Sequence, residues 1–187
     1  MNKKYSLLIA FGIVALLIGL DQLTKWLCNT NDTLLSNEKI IIIKDFVSLK
    51  LTYNKGAAWS ILEGKKFLLV SISLIASVAV GVMIVKLLDF KNSILLSIAL
   101  ILIEGGSVGN LIDRAFYEKG VIDFIHLEFM DFPTFNVADS CLTIGAIILM
   151  VYVLFFYKEP KKLETVYEDE DIIVTKKINE KGEDSNA

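Results

Sequence analysis

Apolar residues are concentrated in four long stretches that contain almost no charge. These stretches are Tyr5–Leu20, Phe67–Val85, Asn92–Ile112 and Ser140–Tyr157. An α-helix needs about 20 mostly apolar residues to cross the hydrocarbon core of a bilayer. The third stretch is long enough only if Glu104 and the glycines that follow it lie within the membrane. The pattern predicts four transmembrane helices.

The first apolar stretch is interpreted as a retained helix and not as a cleaved signal peptide. Signal peptides end in a pattern of small residues, whereas Asp21, Lys25 and Trp26 follow this stretch. The charges disagree on orientation. Lysines near both termini, such as Lys3, favour a cytoplasmic position for the termini. The seven lysines between the first two helices favour a cytoplasmic position for that segment too, although one membrane crossing separates it from the N-terminus.

The segment between the first two helices has the two-residue period of a strand. Val47–Tyr53 alternates between apolar and polar residues, the β-branched run Ile40–Ile43 precedes it, and Asn54–Gly56 is typical of a turn. We expect a surface β segment at about residues 40–62, which includes Trp59 and lies near the interface between membrane and water. The fold class predicted is a mainly α membrane protein, a four-transmembrane-helix bundle with a small surface β-sheet between helices 1 and 2.

Composition agrees with a membrane protein and locates the charge. The chain of 187 residues is 54% hydrophobic, and its mean hydropathy is +0.57. A soluble globular domain and a disordered chain are therefore disfavoured. The net charge of -3 provides no basic surplus for nucleic acid. Residues 1–157 are predicted to form the membrane domain, and the charged residues 158–187 a mobile cytoplasmic tail.

Several ionisable residues lie in or beside the apolar stretches, where charge is costly and points to function. Glu104 has no explanation from the sequence. Asn110, Asp113 and Arg114 are spaced to share one face of a helix. That face is typical of a functional site, although a structural network of ion pairs remains an alternative. Asp113 and Arg114 are adjacent, so each is expected to have another partner.

Asp123 and Asp139 are two carboxylates in apolar sequence, predicted at the same end of the bundle. Two such groups, if close, share a proton, so that one activates water while the other protonates the carbonyl oxygen or the leaving amine. The sequence does not show that they touch, and Asp139 alone fits a helix cap equally well. His126 is the only histidine and is interpreted as an ordinary loop residue, which leaves too few ligands for a metal site.

Four sequence boxes closely resemble the lipoprotein signal peptidase family, the type II bacterial signal peptidases. They cover most of residues 8–157. In chain order, the boxes are Asp21-Gln22-x-x-Lys25, Tyr53-Asn54-Lys55-Gly56-Ala57-Ala58-Trp59, Gly106-x-x-Gly109-Asn110-x-x-Asp113-Arg114 followed by Gly120-Val121-Ile122-Asp123-Phe124, and Phe135-Asn136-x-Ala138-Asp139.

The resemblance implies an intramembrane aspartic endopeptidase that cleaves prolipoproteins before a diacylglyceryl-modified cysteine. Asp123 and Asp139 would be the catalytic pair. No metal or other cofactor would be needed, globomycin-type cyclic peptides would inhibit, and membrane lipids would surround the protein. The implied location is the bacterial cytoplasmic membrane, with the site toward the outer face and both termini cytoplasmic. The residues implied to bind substrate or support the site are Asn54, Gly56, Asn110, Arg114, Asn136, Asp21, Lys25, Asp113, Gly106 and Gly109.

Two alternatives belong to other functional classes. A small transport or assembly subunit would use the aspartates to relay protons, and would need to oligomerise because four helices make a thin wall for a pore. An inactive scaffold would lack at least one aspartate of the pair, whereas both Asp123 and Asp139 are present. A peptidase requires Asp123 and Asp139 to face each other within one chain, whereas a relay would not.

Overall fold

The structure is a computed structural model, which describes residues 2–56, 65–157, 163–167 and 173–177. The chain divides into two compact units, Met1–Tyr152 and Val153–Ala187. The first unit contains every residue of the site discussed below.

Five helices occur in the described part of the first 157 residues. They are α1 (Lys3–Asn29), α2 (Asp32–Leu35), α3 (Lys66–Leu87), α4 (Ile94–Phe116) and α5 (Val137–Phe155). All except the single turn α2 are long and apolar enough to cross a membrane, which confirms the predicted number of spans. The helices extend beyond the uncharged stretches because α1 continues through Asp21 and Lys25, and α4 continues through Asp113 and Arg114.

Helix α4 is the central helix of the bundle. Half of its apolar span is buried in the protein, compared with 17% for each of the other three. Its Leu100 and Ile101 pack in a core with Ala10 and Val14 of α1 and Ile84 of α3. Large apolar side chains cover the outer faces of the helices, as lipid contact requires.

The surface sheet has three antiparallel strands in the order β1 (Ile40–Ile43), β2 (Val47–Asn54) and β3 (Val121–Leu127). The first two strands confirm the expected sheet. The third strand lies in a region that the sequence predicts to be a loop around His126. That prediction is wrong, because Val121–Leu127, including His126, forms β3.

Strand β3 lacks the alternation that marks a half-buried strand. Val121, Ile122, Asp123 and Phe124 are all buried, so both faces of the strand are covered and its apolar residues are consecutive. Gly120 leads into the strand with a φ of +99°, a conformation that other residues rarely adopt. A Cβ atom there would also collide with the backbone carbonyl of Asn54.

Two predicted segments reach beyond the described residues. Residues 57–64, which include Trp59 and the end of the predicted β segment, lie outside them, as does most of the tail. Within the tail, β4 (Leu163–Tyr167) and β5 (Ile173–Lys177) pair antiparallel. The division at residue 157, the mobility of the tail and the position of the sheet at the membrane surface stay predictions.

Candidate active site

Backbone pairing brings the two candidate aspartates together. Phe135 forms an isolated antiparallel bridge with Ile125 of β3. Its carbonyl oxygen accepts the N–H groups of Phe124 at 3.0 Å and Ile125 at 2.8 Å. Residue 135 therefore runs beside β3, and the chain then turns directly into α5. Asp123 on β3 and Asp139 in the first turn of α5 consequently border the same cleft.

Asn136 hydrogen-bonds to both aspartates and is fully buried. Its Nδ2 donates to Oδ1 of Asp123 at 2.7 Å, and its backbone N–H donates to Oδ2 of Asp139 at 3.2 Å. Its Oδ1 accepts the backbone N–H of Asp139 at 2.8 Å. Asn136 and Asp139 thus form the reciprocal pair of a helix capping box. Asn136 is thus the N-cap residue of α5, and Asp139 takes part in the cap from the third helical position while its side chain also belongs to the pair.

The environment of Asp123 favours its protonated form. Burial, followed by the nearby negative charge of Asp139, raises the pKa of Asp123 to about 7, although Lys25 and the hydrogen bond from Asn136 oppose the increase. Two neighbouring carboxyl groups of which one retains its proton near neutral pH are the arrangement that aspartic peptidases use.

Asn110 connects the pair to a buried cation. Its Nδ2 donates to Oδ1 of Asp139 at 2.8 Å, and its Oδ1 accepts from Nδ2 of Asn136 and from Nζ of Lys25, both at 3.1 Å. Because two donors face the oxygen, the amide can point only its nitrogen toward Asp139. Asn110 therefore orients one carboxylate of the pair.

Lys25 lies between two further buried carboxylates. Its Nζ is 2.7 Å from Oδ2 of Asp21 and 2.9 Å from Oδ2 of Asp113. Gln22 closes this cluster, because its Nε2 donates to Oδ1 of Asp113 at 2.9 Å and to the carbonyl oxygen of Gly109 at 3.1 Å. These residues support the site from behind and do not line the cleft.

The predicted polar face of α4 divides between two surroundings. Asn110 and Arg114 line the cleft, whereas Asp113 faces α1 and is fully buried. Arg114 donates from Nη1 to Oγ of Ser73 on α3 at 3.3 Å. The expectation that Asp113 and Arg114 have separate partners is confirmed.

At the end of β2, Asn54 also lines the cleft, and its Oδ1 accepts the N–H of Gly56 at 2.9 Å. Gly56 is thus placed at the edge of the site by this turn. It borders a second, smaller cavity of about 210 Å³ that Asn54 and Arg114 also line.

Two glycines of α4 allow the helices that carry the site to approach one another. A Cβ atom on Gly106 would collide with the backbone carbonyl of Ala138 on α5. On Gly109 it would lie 2.8 Å from Oδ2 of Asp21 and 3.2 Å from Cβ of Ala138. Small residues at these positions permit close helix packing in a membrane.

The cleft has a volume of about 600 Å³, with a polar end and a largely apolar wall. The polar end is formed by the aspartates with Asn54, Asn110 and Arg114. Most of the remaining wall is apolar or weakly polar and is formed by Val121, Leu127, Phe132, Pro133, Thr134, Phe135, Ser140, Leu142, Thr143 and Ile144. Such a cleft suits an amphiphilic ligand.

Two remaining features are the candidate metal ligands and Glu104. Over residues 2–56 and 65–157, no group of three or more His, Cys, Asp or Glu side chains could hold a metal ion. Glu104 is buried between α4 and α3, where its Oε1 accepts from Oγ of Ser77 at 3.1 Å. This contact joins two helices and has no link to the aspartates.

Comparison with known proteins identifies the family. The family model described as Signal peptidase (SPase) II matches residues 13–155. The chain belongs to this family. It is 40% identical over 156 residues to the lipoprotein signal peptidase of Enterococcus faecalis, covering 83% of this chain and 94% of that protein. It is also 40% identical over 154 residues to that of Geobacillus kaustophilus, covering 81% and 96%.

Two solved structures of bacterial membrane enzymes share the fold of this chain. A bacterial membrane enzyme solved by the in meso method at 2.3 Å superimposes with a TM-score of 0.71 at 31% identity, covering 83% of this chain and 94% of that one. Another, at 1.9 Å, gives 0.69 at 32% identity, with coverage of 80% and 94%. The chain is thus a multi-pass membrane protein and an aspartic peptidase that removes signal peptides from prolipoproteins. The proton-relay and scaffold alternatives are set aside.

Sequence reasoning missed two features that support the site. Gln22 stands inside the first box but received no role, although a glutamine beside Asp21 in an apolar helix is itself a signal. Ser73 had no signal, because a serine in a transmembrane helix usually bonds to its own backbone. Its contact with Arg114 depends on how α3 and α4 pack.

Proposed function

We propose that Asp123 and Asp139 are the catalytic pair with which this chain cleaves prolipoproteins before a diacylglyceryl-modified cysteine. The observation that carries the proposal is Asn136, a fully buried amide that hydrogen-bonds to both carboxyl groups at the polar end of the cleft. This contact within one chain is what a peptidase needs and a relay across an interface does not.

The reaction follows from sharing one proton between the two carboxyl groups. The ionised member takes a proton from water, whose oxygen attacks the scissile carbonyl carbon, while the protonated member gives its proton to the carbonyl oxygen. When the C–N bond breaks, the pair gives a proton to the nitrogen of the departing cysteine and takes one back from a hydroxyl group of the tetrahedral intermediate, whose carbonyl re-forms. The site needs no metal, and the chain's activity is expected to persist without one.

The polar end and the largely apolar wall of the cleft match the two parts of the substrate. The peptide bond to be cut is polar and has to meet the aspartates, with Asn54 and Arg114 available to hold the backbone beside them. The acyl chains are apolar and have to remain in a hydrophobic environment, which Leu142 and Ile144 on α5 provide. This arrangement is supported by residues that lie behind the wall of the cleft, namely Asp21, Lys25, Asp113, Gly106 and Gly109.

The site is proposed to open to the outer face of the bacterial cytoplasmic membrane. Nζ of Lys3 donates to the carbonyl oxygen of Leu88 at 2.7 Å, so the N-terminus and the α3–α4 turn lie at one end of the bundle. Lys4, Lys86 and Lys91 belong to the same end, which the positive-inside rule assigns to the cytoplasm. Helix α4 begins there and reaches the aspartates near its other end.

Membrane lipids and globomycin-type peptides are the further proposed partners. Lipids would contact the apolar outer faces of the helices. A globomycin-type inhibitor would occupy the same cleft as the substrate and therefore compete with it.

The test is cleavage of a diacylglyceryl-modified prolipoprotein by the purified full-length chain. Asp123→Asn and Asp139→Asn are compared with Asp131→Asn, which removes an exposed carboxylate between β3 and α5 that does not line the cleft. An unlipidated substrate serves as the second control.

The expected result is that the wild type and Asp131→Asn cut only the lipidated substrate, and that neither of the other variants cuts. If Asp139→Asn cuts as fast as the wild type, the assignment of the pair fails. If folded wild-type protein cuts neither substrate, the proposed function itself fails.

A further inference from the structure

The backbone on the N-terminal side of each aspartate of the pair is held by a buried carboxylate. Oδ2 of Asp113 accepts the N–H of Ile122, the residue before Asp123, at 3.1 Å. Oδ1 of Asp21 accepts the N–H of Ala138, the residue before Asp139, at 2.9 Å. The two elements that carry the pair, β3 and the first turn of α5, are thus fixed in the same manner.

One ammonium group joins these two carboxylates. Lys25 Nζ contacts Oδ2 of Asp21 and Oδ2 of Asp113, and its third acceptor is Oδ1 of Asn110. A lysine has three N–H donors, so all of them are used. All four side chains are essentially inaccessible to solvent, which leaves water unable to replace any lost partner.

Removing any member of such a cluster affects the others. A buried charge that loses its partner is strongly destabilising, so the remaining groups have to rearrange. Groups that share one buried network also give non-additive effects when they are mutated together. Asp21 and Asp113 are 92 residues apart in sequence. Lys25 Nζ couples them at 2.7 Å and 2.9 Å, and Gln22 Nε2 adds a longer bridge, at 3.3 Å from Oδ2 of Asp21 and 2.9 Å from Oδ1 of Asp113.

We propose that Lys25 is a positioning residue that sets the separation of Asp123 and Asp139 by holding Asp113 and Asp21, and through them β3 and α5, on one ammonium group. The proposal rests on the proposed function, because it takes these aspartates to be the catalytic pair. Each carboxylate controls a different aspartate, yet both act on a single quantity, the spacing of the pair.

The experiment is a double-mutant cycle on the full-length enzyme. kcat and KM for the lipidated prolipoprotein are measured for Asp21→Asn, Asp113→Asn and the double variant. Because the loss of either carboxylate already disturbs the spacing, we expect each single variant to lower kcat at least about tenfold with little change in KM, and the double variant to be at most about threefold worse than the poorer single one. If the decreases in log kcat of the two single variants sum in the double variant, the proposal is wrong.

Ser77→Ala is the matched control. It removes another buried interhelical contact of α4, the hydrogen bond to Glu104, which has no connection to the pair. In the double variant of Ser77→Ala and Asp113→Asn, the two effects on log kcat should sum, because the two sites share no partner. Non-additivity of the same size in this cycle would mean that general loosening of the bundle explains the result, and the proposal would be wrong.

The pH dependence gives a readout that a purely structural role would not move. Mutual repulsion separates the two apparent pKa values of a close carboxyl pair. If the spacing increases, these values converge and the bell-shaped profile of kcat becomes narrower. A variant that only lowers the amount of folded enzyme keeps the wild-type width, and that outcome would contradict the proposal.

A conservative variant covers the case in which Asp113→Asn does not fold. Asp113→Glu keeps the charge beside Lys25 but adds one methylene group, which displaces the oxygen that holds Ile122. We expect a folded protein with lower kcat and a narrower profile, and wild-type values of both would refute the proposal. If Asp123→Asn is active, the proposed function has failed. If that variant is inactive and the cycle is additive, only the present inference has failed.

Discussion

Replacing Asn136 by serine separates the two tasks of this side chain. A serine hydroxyl still accepts the N–H of Asp139 and caps α5, since serine is among the preferred N-cap residues. It cannot reach Oδ1 of Asp123, which now receives the Asn136 amide at 2.7 Å. Asn136→Ser therefore leaves the helix cap in place and removes every hydrogen bond that Nδ2 donates, which are those to Oδ1 of Asp123, Oδ1 of Asn110 and the carbonyl oxygen of Ile122.

The expected loss of activity follows from the loss of a hydrogen bond to a carboxyl group whose protonated form is favoured near neutral pH. A hydrogen bond between uncharged groups contributes about 0.5–1.5 kcal/mol. Since about 1.4 kcal/mol corresponds to a factor of ten in rate, kcat should fall about 2- to 12-fold. The Asn136 donor also lowers the pKa of Asp123, so its loss should raise that pKa further and move the corresponding limb of the pH–rate profile to higher pH.

The assay is cleavage of lipidated prolipoprotein across pH, with thermal unfolding in detergent measured in parallel. Asn136→Ala is the companion variant, because it loses the cap as well and should unfold more easily by about 0.5–2 kcal/mol. The reasoning is refuted if Asn136→Ser has wild-type kcat and an unshifted pH profile, or if serine and alanine destabilise the protein equally.

Three further outcomes are expected. The native pKa of Asp123, about 7, lies above the ordinary value of about 4, so the folded state binds this proton more tightly than the unfolded state. Wild-type Tm should consequently fall relative to Asp123→Asn as pH rises from about 4 to about 7, and parallel curves would contradict this. Gly106→Ala should destabilise the protein by about 1–3 kcal/mol, because its Cβ atom would meet the carbonyl of Ala138, whereas Gly12→Ala has open space and should be nearly neutral in the same thermal assay. Dialysis against a chelator should leave cleavage unchanged, and restoration of lost activity by an added metal would show that the site needs one.

The sequence by itself determined the membrane helices and the candidate residues of the site. Four apolar stretches of membrane-spanning length can satisfy their backbone in lipid only as helices, so their number needed no tertiary information. Asp123 and Asp139 were conspicuous for the related reason that charge is rare in apolar sequence. The family resemblance supplied the substrate and the pairing of the two aspartates.

Only the tertiary structure decided how these residues meet. Strand β3 is covered on both faces, so it lacks the alternation that revealed β2, and its partner in the sheet lies about 70 residues earlier. The role of Asp21 depends on an amide 117 residues away, and that of Asn136 on two carboxylates from different elements. Residue types and short spacings predict which groups carry the chemistry, whereas the hydrogen bonds that orient them form only once distant segments pack together.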